Sequence, residues 1–273
     1  METTSDTDWR AVRGVPSLAW RAGQERRFRM VCRHADPTGK RVLDVGCGVG
    51  MYLAAFRRHT PHVFGVEVER EWACEARACA AGVVQAVGEA LPFADGAFDL
   101  TFSHEVLEHV TDDRAVLAEM VRVTRPGGRI VLFVPNRLYP LETHGVFWRG
   151  RYRFGNIPLV NYLPNPLRNR LVPHARAYTA GALRRLLRGL PVRVVFRTVI
   201  FPGYDRIARR SPALARALQA ITYALEHTPL RAFGLSHFWV LERELEFTTS
   251  NYSGFLTPPP PPAAAAAKPL GEG

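Results

Sequence analysis

Three glycines, Gly46, Gly48 and Gly50, follow a short apolar run in VLDVGCGVG, residues 42–50. Glycines at alternate positions let the backbone of a strand-to-helix turn come close to a ligand. A nicotinamide-binding G-x-G-x-x-G fingerprint needs glycine at position 51, and this chain has Met51. Asp44, two residues before the first glycine, suits a cationic ligand better than a pyrophosphate. Glu67 closes the run VFGVE, where a carboxylate can accept from both hydroxyls of a ribose. In GEALPF, residues 88–93, Glu89 can accept an adenine amino group while the Ala90 backbone donates to the ring. Taken singly, each feature also fits an ordinary turn or charged loop.

The elements that must position these residues show in the apolar periodicity. Arg41–Val45, His62–Val66, Val83–Ala86, Phe98–Ser103 and Arg129–Val134 read as buried strands. Helical spacing is expected over Leu18–Cys32, Gly50–His59, Trp72–Ala81 and Arg114–Val123, the last stopped by Pro126-Gly127-Gly128. Thr179 suits the N-cap of a helix over Ala180–Arg188, with strands at Val192–Ile200 and His237–Arg243 to follow. Alternation of this kind implies βαβ units, parallel strands and right-handed crossovers. Two segments stand outside it. Residues 136–177 are rich in Pro, Asn and Gly and are expected to be irregular. Residues 202–233 hold Leu214, Leu218, Ile221 and Leu225 at amphipathic helical spacing.

The chain has 273 residues, 47% hydrophobic and 22% charged, which excludes a mostly disordered or fibrous protein. The expected organisation is a flexible segment 1–15, one domain over 16–256, and a Pro/Ala-rich disordered tail 257–273. No apolar run is long enough to cross a bilayer, and Met1–Trp9 lacks the apolar core of a secretory signal. Cys32, Cys47, Cys74 and Cys79 fit neither a metal-ligand pair nor a disulfide framework, so a cytoplasmic protein with reduced cysteines is expected. Residues 1–136 carry 17 basic and 18 acidic side chains, whereas 137–273 carry 19 and 7. The whole positive excess lies in the second half.

In order, VLDVGCGVG, Glu67, GEALPFADGAFDL at 88–100, SHEVLEHV at 103–110 and LAEMVRVTRPGGRIVLFVPN at 117–136 resemble class I S-adenosylmethionine-dependent methyltransferases, in the type 11-like branch acting mostly on small molecules and lipids. The resemblance covers residues 41–135. It implies a Rossmann-like α/β fold: a seven-stranded sheet with an antiparallel seventh strand, helices on both faces, and S-adenosyl-L-methionine over the carboxyl ends of strands one, two and four. It assigns Asp44, Gly46, Cys47, Gly48 and Gly50 to the cofactor loop, Glu67 and Val68 to the ribose, and Glu89 and Ala90 to the adenine. Glu89 departs from the usual Asp. Ser103 joins the cofactor set, and His104, in the segment nearest the reactive methyl, is the first suspect as a base. Glu105, Glu108 and His109 are spaced to share one helical face. EVLEHV is similar to a stretch of ubiquinone-biosynthesis O-methyltransferases in which an E-x-x-E-H set is implicated in divalent-metal binding. Mg²⁺ prefers oxygen ligands, so no metal is assigned and a structural or substrate-orienting role is preferred.

In such a fold both outlying segments leave the carboxyl edge of the sheet, where ligands bind, and are expected to converge as a basic lid. Residues 137–240 hold 17 arginines against Glu142, Asp205 and Glu226. The first segment interleaves them with Tyr139, Phe147, Trp148, Tyr152, Phe154 and Tyr162. A basic amphipathic lid suits a lipid or isoprenoid-type acceptor methylated at oxygen or carbon, with peripheral contact to an anionic membrane. The alternatives are an anionic metabolite clamped by arginines, RNA, or a non-catalytic cofactor-binding module recruited to a membrane or partner. RNA ranks last, because no RNA-binding module or Asn/Asp-Pro-Pro-aromatic signature is present. His144, His174 and Tyr178 are further polar candidates near the lid hinges.

Overall fold

A run such as Ile130–Val134 leaves no polar position for a solvent-facing side, so it is stable only between two covering layers. It lies there in the computed structural model, which describes residues 20–245; segments 1–15 and 257–273 fall outside the described residues. In chain order the domain core runs α1 (Ala22–His34), β1 (Val42–Val45), α2 (Met51–Phe56), β2 (Val63–Glu67), α3 (Arg70–Ala76), β3 (Gly82–Gln85), β4 (Phe98–His104), α4 (Asp113–Val123) and β5 (Thr124–Pro135). The first outlying segment carries β6 (Leu141–Glu142), β7 (Val146–Trp148), β8 (Arg151–Arg153), β9 (Ile157–Pro158) and α5 (Asn165–Leu171). Then come α6 (Ala180–Leu186), β10 (Val192–Ile200), α7 (Asp205–Ala208), α8 (Pro212–Leu225) and β11 (Ser236–Arg243).

Seven strands form one sheet in the order β3-β2-β1-β4-β5-β11-β10. The last strand, β11, inserts antiparallel to both β5 and β10. Because successive side chains point to opposite faces, each apolar strand feeds two cores. Val131, Phe133, Phe238 and Val240 meet Phe28, Val31, Phe56 and Ala73 of α1, α2 and α3. Ile130, Leu132, Trp239 and Leu241 meet Val116, Leu117 and Met120 of α4 and Leu183 of α6. Phe133 and Phe238 stack with ring centroids 4.6 Å apart across the β5–β11 pair. Asp112 caps α4 by accepting from the Arg114 and Ala115 amides, and Thr179 caps α6 through the Ala182 amide.

Several elements differ from their sequence-based outlines. Helix α2 is shorter than Gly50–His59, and the Trp72–Ala81 helix becomes α3 followed by a 3₁₀ turn at Arg77–Cys79. Pro126-Gly127-Gly128 lies inside β5 rather than before it. Phe98 pairs with Thr124 and Leu100 with Arg129, so the residues between bulge out of the ladder, with Gly127 at φ +73°.

Residues 136–177 are not irregular. They form two small sheets, β6–β9 and β7–β8, and α5, around an apolar cluster of Val146, Val160, Val172 and Ala175. That cluster is small, and a polar hub completes it. Arg168, 1% exposed, donates to Glu142 Oε2 at 2.8 Å, Asn161 Oδ1 at 3.1 Å and the Ala175 carbonyl at 2.9 Å.

Residues 202–233 do contain the expected amphipathic helix, α8, but its apolar stripe is only partly covered: Leu218 and Leu225 are half-buried, while Leu214 is 52% and Ile221 61% exposed. The helix is also held by polar contacts. Arg26 of α1 pairs with Glu226 and lies 3.8 Å over the Tyr223 ring.

Arg168→Ala leaves Glu142 Oε2 buried without its guanidinium partner and opens the hub, and breaking such a buried pair costs about 3–5 kcal/mol. Urea denaturation should show that loss, and hydrogen exchange should accelerate across 141–178 while β1, β4 and β5 stay protected.

Candidate active site

The carboxyl ends of β1, β2 and β4 open onto a cavity of about 810 Å³. Its floor is the glycine turn. Gly46, Gly48 and Gly50 have φ of +78°, +53° and +89°, a region that favours glycine. A Cβ on Gly46 would stand 2.4 Å from Val106 Cγ2, so no larger residue fits. The Gly46 and Cys47 amides donate to the Val66 carbonyl at 2.8 and 3.0 Å. Glu67 then ties the turn to β2. Its Oε2 accepts from the Gly48 amide at 2.8 Å, and its Oε1 accepts from the Val68 and Glu69 amides at 2.9 and 3.0 Å.

Of the sequence-derived set, Gly46, Cys47, Gly48, Glu67, Val68, Glu89 and His104 line the cavity. Glu89 Oε1 also accepts from the Thr111 and Asp112 amides, at 2.9 and 3.2 Å, which pins the loop after β4. Asp44, Gly50, Ala90 and Ser103 are not among the lining residues. Asp44 is buried behind the turn, where burial and the Glu67 charge hold its carboxyl well above the usual range. Gly50 serves helix packing, since a Cβ there would stand 3.1 Å from Ala76 Cα of α3. Ser103 is fully buried within β4, and Ala90 is exposed on its turn.

His104 sits among aromatic rings, with Tyr52 at 4.9 Å and Phe133 at 5.2 Å between centroids. Burial lowers its pKa to about 4, so its imidazole is neutral, and its Nε2 has no hydrogen-bond partner. The segment after it is a turn rather than a helix, with Glu105 in the left-handed region at φ +56°. Glu105, Glu108 and His109 therefore do not share a helical face. Glu105 accepts from the Ser236 hydroxyl at 2.6 Å, while Glu108 and His109 turn toward His144 of the first insertion. Burial, reinforced by the Glu105 charge, pushes Glu108 up to about 8. Burial and the neighbouring His144 lower His109 to about 4. Burial alone would lower His144, but the flanking carboxylates of Glu108 and Glu142 raise it to about 10.

Of the hinge candidates, only His144 lines the cavity. His174 contacts the His144 carbonyl through Nε2 at 3.0 Å, and the Tyr178 hydroxyl bonds the Leu107 carbonyl and Asp113. Thr143, Tyr152 and Phe154 of the first insertion also line the cavity, but no described residue of 202–233 does. The second half of the expected lid is engaged with α1 instead. From α1, Gln24 reaches the cavity wall. Tyr152 and Phe154 belong to the aromatic lid segment expected from the sequence, whereas Gln24 and Trp72 carry no local signal, because distant packing alone brings them to the site.

Residues 43–132 match the family described as a methyltransferase domain. Over that stretch the chain is similar to methyltransferase domains. An uncharacterized methyltransferase of Mycobacterium sp. (strain JLS) is 47% identical over 110 residues, which is 40% of this chain and 44% of that relative. The chain thus aligns with less than half the length of this curated relative. A solved S-adenosylmethionine-dependent methyltransferase from Mesorhizobium loti superposes with a TM-score of 0.56 at 19% identity, covering 81% of this chain and 98% of that one. Geranyl diphosphate C-methyltransferase from Streptomyces coelicolor A3(2), solved with Mg²⁺, geranyl diphosphate and S-adenosyl-L-homocysteine, superposes at 0.54 with 15% identity, covering 81% and 79%.

At the glycine turn Gly46→Ala must strain a left-handed backbone position, at about 1–2 kcal/mol, and displace Val106. Its Tm should fall by several degrees in a thermal melt, whereas Gly39→Ala, also left-handed but with open space around it, should fall less.

Proposed function

We propose that the protein transfers the methyl group of S-adenosyl-L-methionine to an oxygen or carbon of a small-molecule acceptor, of lipid or isoprenoid type. One observation carries this proposal. A single cavity is lined both by the glycine turn, Glu67 and Glu89, and by Thr143, His144, Tyr152 and Phe154 of the first insertion, so donor and acceptor share one space. The donor side fits the cofactor: a turn where Cβ atoms are excluded, a carboxylate placed for ribose hydroxyls, and a second carboxylate placed for adenine. When bound, the cofactor supplies an electrophilic methyl on a sulfonium. The chain itself binds, orients and excludes water. Glu67 accepts from ribose, Glu89 accepts from adenine, and Val68 and Trp72 wall the site. His104, neutral and unbonded at Nε2, is suited to orient an acceptor hydroxyl more than to remove its proton.

The acceptor side is largely aromatic and apolar, which supports an acceptor with an apolar body. Phe154 lines the cavity yet is 68% exposed, so it joins the mouth to the surface. Beside it the β7–β8 hairpin exposes Trp148 and carries Arg149, Arg151 and Arg153. Exposed aromatics among arginines support peripheral contact with an anionic membrane, and no described helix is long and apolar enough to cross one. The isoprenoid diphosphate bound by the geranyl diphosphate C-methyltransferase is a chemically consistent precedent on the same fold.

Calorimetric titration with S-adenosyl-L-methionine should show saturable binding, weakened by about 10-fold or more in Glu67→Ala, as expected for losing charge-assisted hydrogen bonds of roughly 1.5–3 kcal/mol. No binding to the wild type ends the proposal. Binding without turnover on any isoprenoid or quinol acceptor makes the protein a cofactor-binding module. Trp148→Ala/Phe154→Ala should lose co-sedimentation with vesicles containing anionic lipid while keeping cofactor affinity. Equal sedimentation of wild type and variant removes the membrane contact.

A further inference from the structure

Glu108, His109 and His144 converge from the turn after β4 and from the first insertion. One ligand-competent atom from each lies within 4.8 Å of the others. Glu108 Oε1 stands 3.8 Å from His144 Nε2 and 4.0 Å from His109 Nε2, too far in both cases for a hydrogen bond. Both Glu108 oxygens are buried with no hydrogen-bond partner. A buried carboxylate with neither oxygen bonded is costly unless something else occupies the space between these atoms.

The tautomers point to what that is. His109 Nδ1 lies 3.0 Å from the His174 carbonyl oxygen, which can only accept, so Nδ1 carries the proton and Nε2 is a bare lone pair. His144 Nδ1 lies 2.9 Å from Glu142 Oε1, and Glu142 is held as a carboxylate by Arg168 at 2.8 Å, so Nδ1 keeps its proton and Nε2 is the nitrogen a metal would take, displacing the proton it carries in the metal-free imidazolium. Three ligand-competent atoms thus face one another with no hydrogen bond among them. Each histidine is fixed from behind, one by a carbonyl and one by a carboxylate, as in histidines that ligate metals. For metal–ligand bonds of about 2.0–2.2 Å, tetrahedral ligand atoms sit about 3.4 Å apart, so the two separations from Glu108 to the histidines, 3.8 and 4.0 Å, need shorten by only roughly half an ångström.

We propose that Glu108, His109 and His144 bind a single first-row transition-metal dication, such as zinc or iron(II), at the wall of the cavity. Two imidazoles and one carboxylate suit such an ion and disfavour Mg²⁺ and Ca²⁺, which take oxygen ligands. Glu105 is not a ligand, since its carboxylate is turned to Ser236. His109 and His144 line the cavity, so the remaining coordination positions open on it. There the ion would take a hydroxyl, enol or carboxylate oxygen of the acceptor and lower the pKa of a hydroxyl. This last role rests on the proposed methyl transfer; metal binding does not.

The test uses the purified chain after chelator treatment, titrated with Co²⁺ by calorimetry and visible absorption, then with Zn²⁺ in competition. One equivalent of Co²⁺ should bind and give ligand-field bands that Zn²⁺ abolishes. Affinity should fall at least 10-fold in His144→Ala, His109→Ala and Glu108→Gln, and stay within about twofold in Glu105→Gln. Circular dichroism of each metal-free variant establishes that it is folded. Calorimetry with S-adenosyl-L-methionine in parallel separates this site from the cofactor site. Absence of saturable Co²⁺ binding overturns the proposal, as does stoichiometric binding that both histidine variants retain.

Discussion

The site is organised around a carboxylate that the backbone itself solvates. Glu67 is 5% exposed, and a charge that deep persists only if its lone pairs are met by donors. Three amides meet them: one from the glycine turn after β1 and two from the chain leaving β2. The constraint runs both ways. The amides hold the carboxylate in place and aimed, and the carboxylate holds the turn in a left-handed conformation. That turn places Gly46 against Val106, and through Val106 the segment after β4, which carries Glu105, Glu108 and His109. The parallel sheet beneath gives this arrangement a rigid base, since its strands are covered on both faces and cannot slip by one residue without reversing every buried side chain.

A second chain of polar contacts joins the first insertion to the same cavity. Arg168 pairs with Glu142, Glu142 accepts from His144, and His144 faces Glu108. A segment whose apolar core is so small would otherwise hold its strands loosely. Here a buried guanidinium, satisfied by a carboxylate, an amide and a carbonyl, gives geometric definition that a few valines do not. The insertion is thereby more than a cover, because it delivers a histidine to the cavity wall in a defined orientation.

The second insertion behaves differently. Its helix α8 is tied to α1 by Arg26, Tyr223 and Glu226, and its leucine and isoleucine stripe stays only partly covered. Arginine excess marked both insertions alike in composition, yet one walls the cavity and the other braces the N-terminal helix. Charge density is a property of a segment, whereas its placement depends on which specific partners it finds.

Features built within a few residues were readable along the chain. The glycine turn, Glu67 at the end of β2, the Thr179 cap and all seven strands depend on local sterics, capping bonds or uninterrupted apolar runs, and each appeared near its expected place. Boundaries shifted where helices tightened into 3₁₀ turns or where a bulge absorbed Pro126-Gly127-Gly128. By contrast, the expected helical face of Glu105, Glu108 and His109 does not exist. The turn after β4 is set by packing against β11, where Ser236 captures Glu105. The meeting of Glu108 with His144, the arrival of Gln24 at the cavity and the buried state of Arg168 all join residues far apart in sequence. No local periodicity encodes such contacts, because they come from how whole layers pack and from where buried charges find their partners.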